Sequence, residues 1–149
     1  MKKSNFENIK YKFSKVSLDI LIIKNNKILL GLLSKKWKYK GKQVYGIPGG
    51  RDIYFREKIG EAVKSDIKKE LGCLVIDYKI ICVNANYALG NHYICIGVLA
   101  KIKGKPKLLT PLDWEKWEWF DIKKIPSNIF PSAKYTIECY KKKKFCISE

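Results

Sequence analysis

The chain has 149 residues, enough for one ordinary domain and too few for two comfortable ones. Hydrophobic residues make up 46% and aromatic residues 13%, which excludes an intrinsically disordered chain and permits a sizeable core. Lys and Arg total 31 against 14 Asp and Glu, a formal net charge of +17, so the surface favours a polyanionic partner or substrate while specifying no fold.

The first eleven residues are polar and lack the apolar stretch of a secretory signal, and no apolar run approaches the roughly 18 residues of a membrane span. The expectation is a soluble, cytoplasmic protein with no membrane partner. The alternating, β-branched stretch VSLDILII over residues 16–23 predicts a strand. Residues 24–27 form a turn into a second strand over 28–33, giving a hairpin. The basic segment 34–43 reads as a loop. A short strand over 44–47 then runs into Pro48-Gly49-Gly50. A loop over 51–59 leads to a helix over 60–71, where Ala62, Val63, Ile67 and Leu71 share a face and Gly72 supplies the stop. Strands follow over 73–83 and 92–101, with a turn marked by Gly104 and Pro106, a last strand over 117–120, and a terminal helix over 131–144 that ends in four lysines. No internal repeat or linker divides the sequence, so a single domain over 1–149 is expected, of the α/β (α+β) sandwich class.

Cys73, Cys82, Cys95, Cys139 and Cys146 are odd in number and show no C-x2-C spacing, which argues for free thiols in a reducing compartment and against a disulfide framework or a Cys-type zinc site. The lone histidine, His92, falls on an apolar strand and reads as structural. The acids are more informative. Asp52, Glu57, Glu61, Asp66 and Glu70 fall within residues 52–70, and Asp113, Glu115, Glu118 and Asp121 within 113–121, inside a strongly basic chain. Asp66 and Glu70 are spaced i,i+4 on the predicted helix and project from one face. Two like charges there invite either neighbouring lysines on a solvated face or a divalent cation, whose hard oxygen ligands suit Mg2+ or Mn2+. The glycines of Pro48-Gly49-Gly50, ending a strand ahead of that helix, allow the backbone to approach a phosphate or to offer a carbonyl to a metal.

These residues resemble the Nudix hydrolase family, whose box reads G-x5-E-x7-R-E-U-x-E-E-x-G-U with U aliphatic. The matching stretch runs from Gly50 through Glu57 to Ser65, Asp66, Ile67, Lys68, Lys69, Glu70, Leu71, Gly72 and Cys73. Six residues rather than five separate Gly50 from Glu57, the x7 spacing is kept, Asp66 stands for a Glu, Ser65 for the Arg and Lys69 for another Glu. The hairpin ahead of the Pro-Gly-Gly turn, the Tyr45-Gly46-Ile47-Pro48 approach to it and the Trp117-Glu118-Trp119-Phe120 strand also look like small Nudix proteins. The resemblance implies a Nudix-type α/β/α sandwich with a mixed sheet, one box helix and a C-terminal helix.

It further implies a Mg2+- or Mn2+-dependent hydrolase acting on a nucleoside diphosphate linked to X. The first expectation is MutT-like, a nucleoside triphosphate giving NMP and pyrophosphate. Nucleotide-sugar hydrolysis stays open as an alternative, because Val16-Ser17-Leu18-Asp19 and Gly49-Gly50-Arg51 resemble the GDP-mannose mannosyl hydrolases. A second alternative is a degenerate domain that binds nucleotide or RNA without turnover. By resemblance, Glu70 and Asp66 ligate the metal with a carbonyl of Gly49 or Gly50. Glu57 binds a second metal or orients water, and Glu115 takes a proton from water or completes the metal shell. With Ser65 in place of the box Arg, another cation is expected to hold the acids, Lys69 or Arg56. Tyr45, Asn86 and Trp114 are candidates to contact a base or sugar, aromatic faces being suited to stacking, and Arg51 and Arg56 complete the expected substrate contacts. The partner is a small nucleotide, and a homodimer is compatible with the family.

Overall fold

The computed structural model describes residues 13–88 and 90–147; the polar segment 1–11 considered above lies outside the described residues. In chain order the elements are β1 (Lys15–Lys24), β2 (Lys27–Leu33), a 3-10 turn (Lys35–Trp37), β3 (Tyr45–Gly46), β4 (Gly49–Asp52), α1 (Ile59–Leu71), β5 (Leu74–Ala88), β6 (Asn91–Lys103), β7 (Trp114–Asp121), α2 (Pro131–Lys142) and β8 (Cys146–Ile147).

The most apolar segment, β1, takes the central place. Leu18, Ile20, Leu21 and Ile22 are at most 1% exposed, as a strand covered on both faces demands. Along one edge β1 pairs in parallel with β6 from Lys15 to Ile22. Its other edge is shared. Antiparallel β4 takes Ser17 and Asp19, and antiparallel β2 takes Ile23 and Lys24. The sheet therefore forks at β1. Beyond β6 lie antiparallel β5 and then parallel β8, while β2 carries β3 and β7. Asn25 and Asn26 both adopt positive φ (51° and 58°), the geometry of a two-residue turn whose twist matches the β1–β2 hairpin.

A helix covers each side. Ala62, Val63, Ile67 and Leu71 of α1 pack with Leu18, Ile20, Ile22, Leu29 and Val98. Ala133 and Ile137 of α2 pack with Leu21, Ile28, Leu30 and Ile47. Alternate residues of β1 and β2 thus feed opposite cores, which makes the α/β/α sandwich with a mixed sheet. The carboxylate of Glu61 accepts the Lys58 backbone N–H at the start of α1 (3.2 Å), and Gly72, at φ 68°, closes it by donating to the Lys68 carbonyl. Among the described residues no helix is long and apolar enough to cross a membrane. All five cysteines are free thiols.

Several boundaries differ from the sequence reading. Residues 49–52 form strand β4 rather than the start of a loop, because pairing with β1 imposes extended backbone on a segment with no apolar pattern of its own. Strand β5 continues to Ala88, β7 begins at Trp114, and the terminal helix ends at Lys142, where Lys143 turns left-handed at φ 54°. The two-residue β8, absent from the sequence reading, follows it.

Candidate functional site

At the fork of the sheet lies a cavity of about 370 Å3. Its walls come from β1, β4, β5 and β6, from β2, β3 and β7, and from α1 and the start of α2. The turn into β4 forms part of its wall. Ile20 donates its N–H to the Pro48 carbonyl (2.8 Å), fixing the turn to β1. Gly49 and Gly50 then adopt φ of 103° and 91°, which L side chains rarely tolerate. A Cβ on Gly49 would run into the Leu18 carbonyl, whereas Gly50 faces open space. The freed Gly49 N–H donates to Glu70 Oε2 at 2.8 Å.

Glu70 and Asp66 sit one turn apart on α1, and both line the cavity. Glu70 also accepts the Trp114 indole N–H at Oε1 (3.0 Å). Burial pushes its carboxyl up to about 7 against the pull of these two donors. Asp66 is 3% exposed, and burial likewise raises it, opposed by Arg51. Its Oδ2 is buried without a hydrogen-bond partner.

The cation that holds the acids is Arg51, not Lys69 or Arg56. Its Nε donates to Asp66 Oδ1 at 2.5 Å, and its Nη1 and Nη2 grip the two carboxylate oxygens of Glu57 at 2.8 and 2.6 Å. Nη1 also reaches the Asp52 carbonyl at 2.9 Å, and the guanidinium lies 4.3 Å from the Tyr54 ring centroid. Arg51 is raised by its bonds to Glu57 above all, and Glu57 is held down to about 2 by Arg51 and by the Tyr54 backbone N–H. Arg51 lines the cavity, as a substrate contact would, but its donors are engaged by protein acids. Arg56 is exposed at φ 64°, with its guanidinium 5.2 Å from the Phe55 ring, and is absent from the cavity wall. Lys69 lines the cavity.

Two more expected contacts lie elsewhere. Tyr45 packs edge-to-face on Phe120 at 5.4 Å, in the α2-side core. Glu115 is exposed and off the cavity wall, because Trp114 points inward and the next residue of a strand faces away. The acid facing the cavity there is Asp113, which accepts the Trp37 indole N–H at 3.0 Å and lies 3.2 Å from Lys36 Nζ. Trp114 and Asn86 do line the cavity. Trp114 fits beside Gly31, where a Cβ would stand 2.5 Å from its ring, and stacks on Trp117 with centroids 4.4 Å apart. Asn86 donates to Asn84 Oδ1 (3.0 Å) and Cys95 Sγ (3.3 Å). Sequence reasoning assigned no role to Trp37, Asp113 or Asp19. The signal for Asp19 was available, since an acid in the middle of an apolar strand is rare without a purpose.

Among the described residues no three acidic, histidine or cysteine side chains converge as a metal cluster. The donor set fits a single hard cation, however. Asp66 offers an unpartnered buried oxygen, and Glu70 retains lone pairs beyond its two accepted bonds. Both carboxyls are disfavoured as anions by their burial, a penalty that a bound cation relieves. Glu57 is not available to that cation while Arg51 grips both of its oxygens.

No family model matches the chain. Among solved structures, a MutT Nudix hydrolase from Burkholderia pseudomallei superposes with a TM-score of 0.75 at 25% identity, covering 85% of this chain and 97% of that one. A Nudix hydrolase from Nitrosomonas europaea gives 0.73 at 18% identity, covering 89% and 92%. A UDP-X diphosphatase gives 0.66 at 15% identity, covering 93% and 68%.

Proposed function

Starting from a chain with the Nudix hydrolase fold, we propose that it hydrolyses a nucleoside diphosphate linked to X with the help of Mg2+ or Mn2+, in the first place a nucleoside triphosphate to NMP and pyrophosphate. The observation that carries this reading is the convergence of Asp66, Glu70 and the positive-φ Gly49-Gly50 turn on one end of an aromatic-walled cavity. Asp66 and Glu70, with a carbonyl of Gly49 or Gly50, would hold the cation. When bound, it supplies neutralisation of polyphosphate charge and polarisation of the phosphorus under attack.

The rest is work for the chain's own residues. The N–H groups of Gly49 and Trp114 fix the Glu70 carboxylate from two sides, so its orientation does not wait on substrate. Arg51 keeps Asp66 and Glu57 in place from the neighbouring strand. Burial raises the Glu70 carboxyl to about 7, so a cation held there would favour the deprotonated form and couple its binding to proton release. Trp37, Trp114 and Phe130 wall the cavity with flat apolar surface suited to a base. The +17 surface draws a polyanion toward it.

The test is a panel of nucleoside triphosphates, nucleotide sugars, ADP-ribose and capped RNA, assayed with Mg2+ or Mn2+ on the wild type and on Glu70→Gln. Metal-dependent turnover that falls by about 10^2- to 10^4-fold in Glu70→Gln is expected, and the products name the bond. Absence of turnover with every member of the panel refutes the reading.

A further inference from the structure

The cavity wall carries a further polar group, on the α2-side face of β1, that the hydrolytic reading does not use. Asp19, in the middle of β1, is 6% exposed and lines the cavity, yet its Oδ2 has no hydrogen-bond partner. Ser132, near the start of α2, is its hydrogen-bonding neighbour. Among the described residues no lysine or arginine forms an ion pair with it. Of the polar groups near it, Asn84 keeps a buried Nδ2 without a partner, while the others bond among themselves. Ser17 Oγ lies 3.2 Å from Cys95 Sγ, and Asn86 is bonded to Cys95 and Asn84. A buried acceptor left open costs free energy unless a ligand completes it. A phosphate cannot do so, because it would bring like charge to a carboxylate without a cation. Asp19 stands in register opposite Gly49, but it shares the α2-side face of β1 with Leu21 and meets Ser132 of α2, whereas Asp66 and Glu70 lie on α1, which packs on the other face. With the phosphates held by the glycine turn and α1, the non-phosphate part of the ligand is the part that meets Asp19.

We propose that Asp19 is a specificity-determining residue whose carboxylate receives a pair of hydrogen-bond donors from the non-phosphate part of a nucleotide. This rests on the nucleotide reading of the same cavity. Two chemical groups offer such a pair: a base edge with neighbouring N–H donors, or the vicinal hydroxyls of a sugar. A carboxylate accepts both hydrogens of either, whereas an amide in its place accepts one and opposes the other.

Titration calorimetry on the full chain without metal separates these sources. GMP, IMP and AMP share ribose and phosphate and differ in the base edge, the first alone presenting adjacent ring and exocyclic N–H donors. AMP and its 2′,3′-dideoxy analogue differ only in the diol. The expected result is a preference of about tenfold or more within one of these sets, GMP over IMP or AMP over its dideoxy analogue, that Asp19→Asn removes while leaving the weaker ligand's affinity in place. Equal affinities within both sets, a preference that survives Asp19→Asn, or a variant that weakens all ligands by one factor overturns the assignment. Should Asp19→Asn fail to fold, Asp19→Ser replaces it, and the wild-type series alone still overturns the proposal if it shows no preference. Because nothing is turned over, a chain that shows the preference and hydrolyses no nucleotide refutes the hydrolase reading while leaving this one standing.

Discussion

Replacing Arg51 is the most direct probe of the site's architecture. The guanidinium joins Glu57, just ahead of α1, to Asp66 on α1 through three charge-assisted bonds. Removing one partner of a fully buried pair costs about 3–5 kcal/mol, because the other charge is left uncompensated. The Asp66 side chain is 4% exposed but that of Arg51 is 21% exposed, so solvent screening lowers the expected cost of Arg51→Ala to about 2–3 kcal/mol. For a chain of this size that is a fall of about 5–10 °C in Tm. Arg51→Lys keeps the charge but loses the fork, and should fall between wild type and Ala. Arg56→Ala is the control: exposed and off the site, it should move Tm by no more than about 2 °C. The pH dependence gives an independent check. Glu57 has its folded value lowered to about 2 from 4.5, so the stability it gains from Arg51 is complete above the unfolded value and is lost as pH falls toward 2. The gap between wild type and Arg51→Ala should therefore narrow in acid. Thermal unfolding by circular dichroism measures all of this. An Arg51→Ala variant as stable as Arg56→Ala at neutral pH, or additivity with Asp66→Asn in a double-mutant cycle, would refute the clamp.

Other consequences follow from the same geometry. Asp19 has its folded value raised from 3.8 to about 6 by burial, so the native state holds the extra proton and stability should decline as pH rises from 4 to 6, by at most about 3 kcal/mol. Urea unfolding should show Asp19→Asn lacking that decline; parallel profiles for the two proteins contradict it. Gly49→Ala must cost more than Gly50→Ala, since both residues have positive φ but only the former meets the Leu18 carbonyl; about 1–3 kcal/mol is expected for Gly49→Ala, read by chemical denaturation. Trp114→Phe removes the indole donor from Glu70, so the Glu70 carboxyl should titrate higher still, visible by 13C NMR of the side chain; an unchanged or lower value would contradict the assigned bond.

Long-range order was legible where local pattern and tertiary context agree. The apolar run of β1 announces a buried strand, and the spacing of Ala62, Val63, Ile67 and Leu71 with Gly72 as a stop puts α1 within one residue of its observed limits. Where context alone decides, the pattern is silent. The Gly-Gly-Arg-Asp of β4 carries no alternation and becomes a strand only because β1 has a free edge opposite Ser17 and Asp19. The two residues of β8 are ordered by a parallel pairing to Cys82 and Val83 that no local signal encodes.

The site repeats this division. The i,i+4 acids were visible from spacing, as was the demand for a cation once Ser65 stood where the box has Arg. Which cation answers is a question of distance in space. Candidates on α1 or its approach suggest themselves from sequence proximity, yet Arg51 reaches the acids from β4 because the glycine turn swings that strand beside the helix. The positive charge thus sits on the strand that carries the Gly49 and Gly50 backbone and not on the helix. That placement links two parts of the site that an arginine at position 65 would leave independent. Displacing Arg51 disturbs both the acids and the turn next to them, so the chain retains an ordered acidic pair without the box arginine but ties that order to the conformation of a single strand.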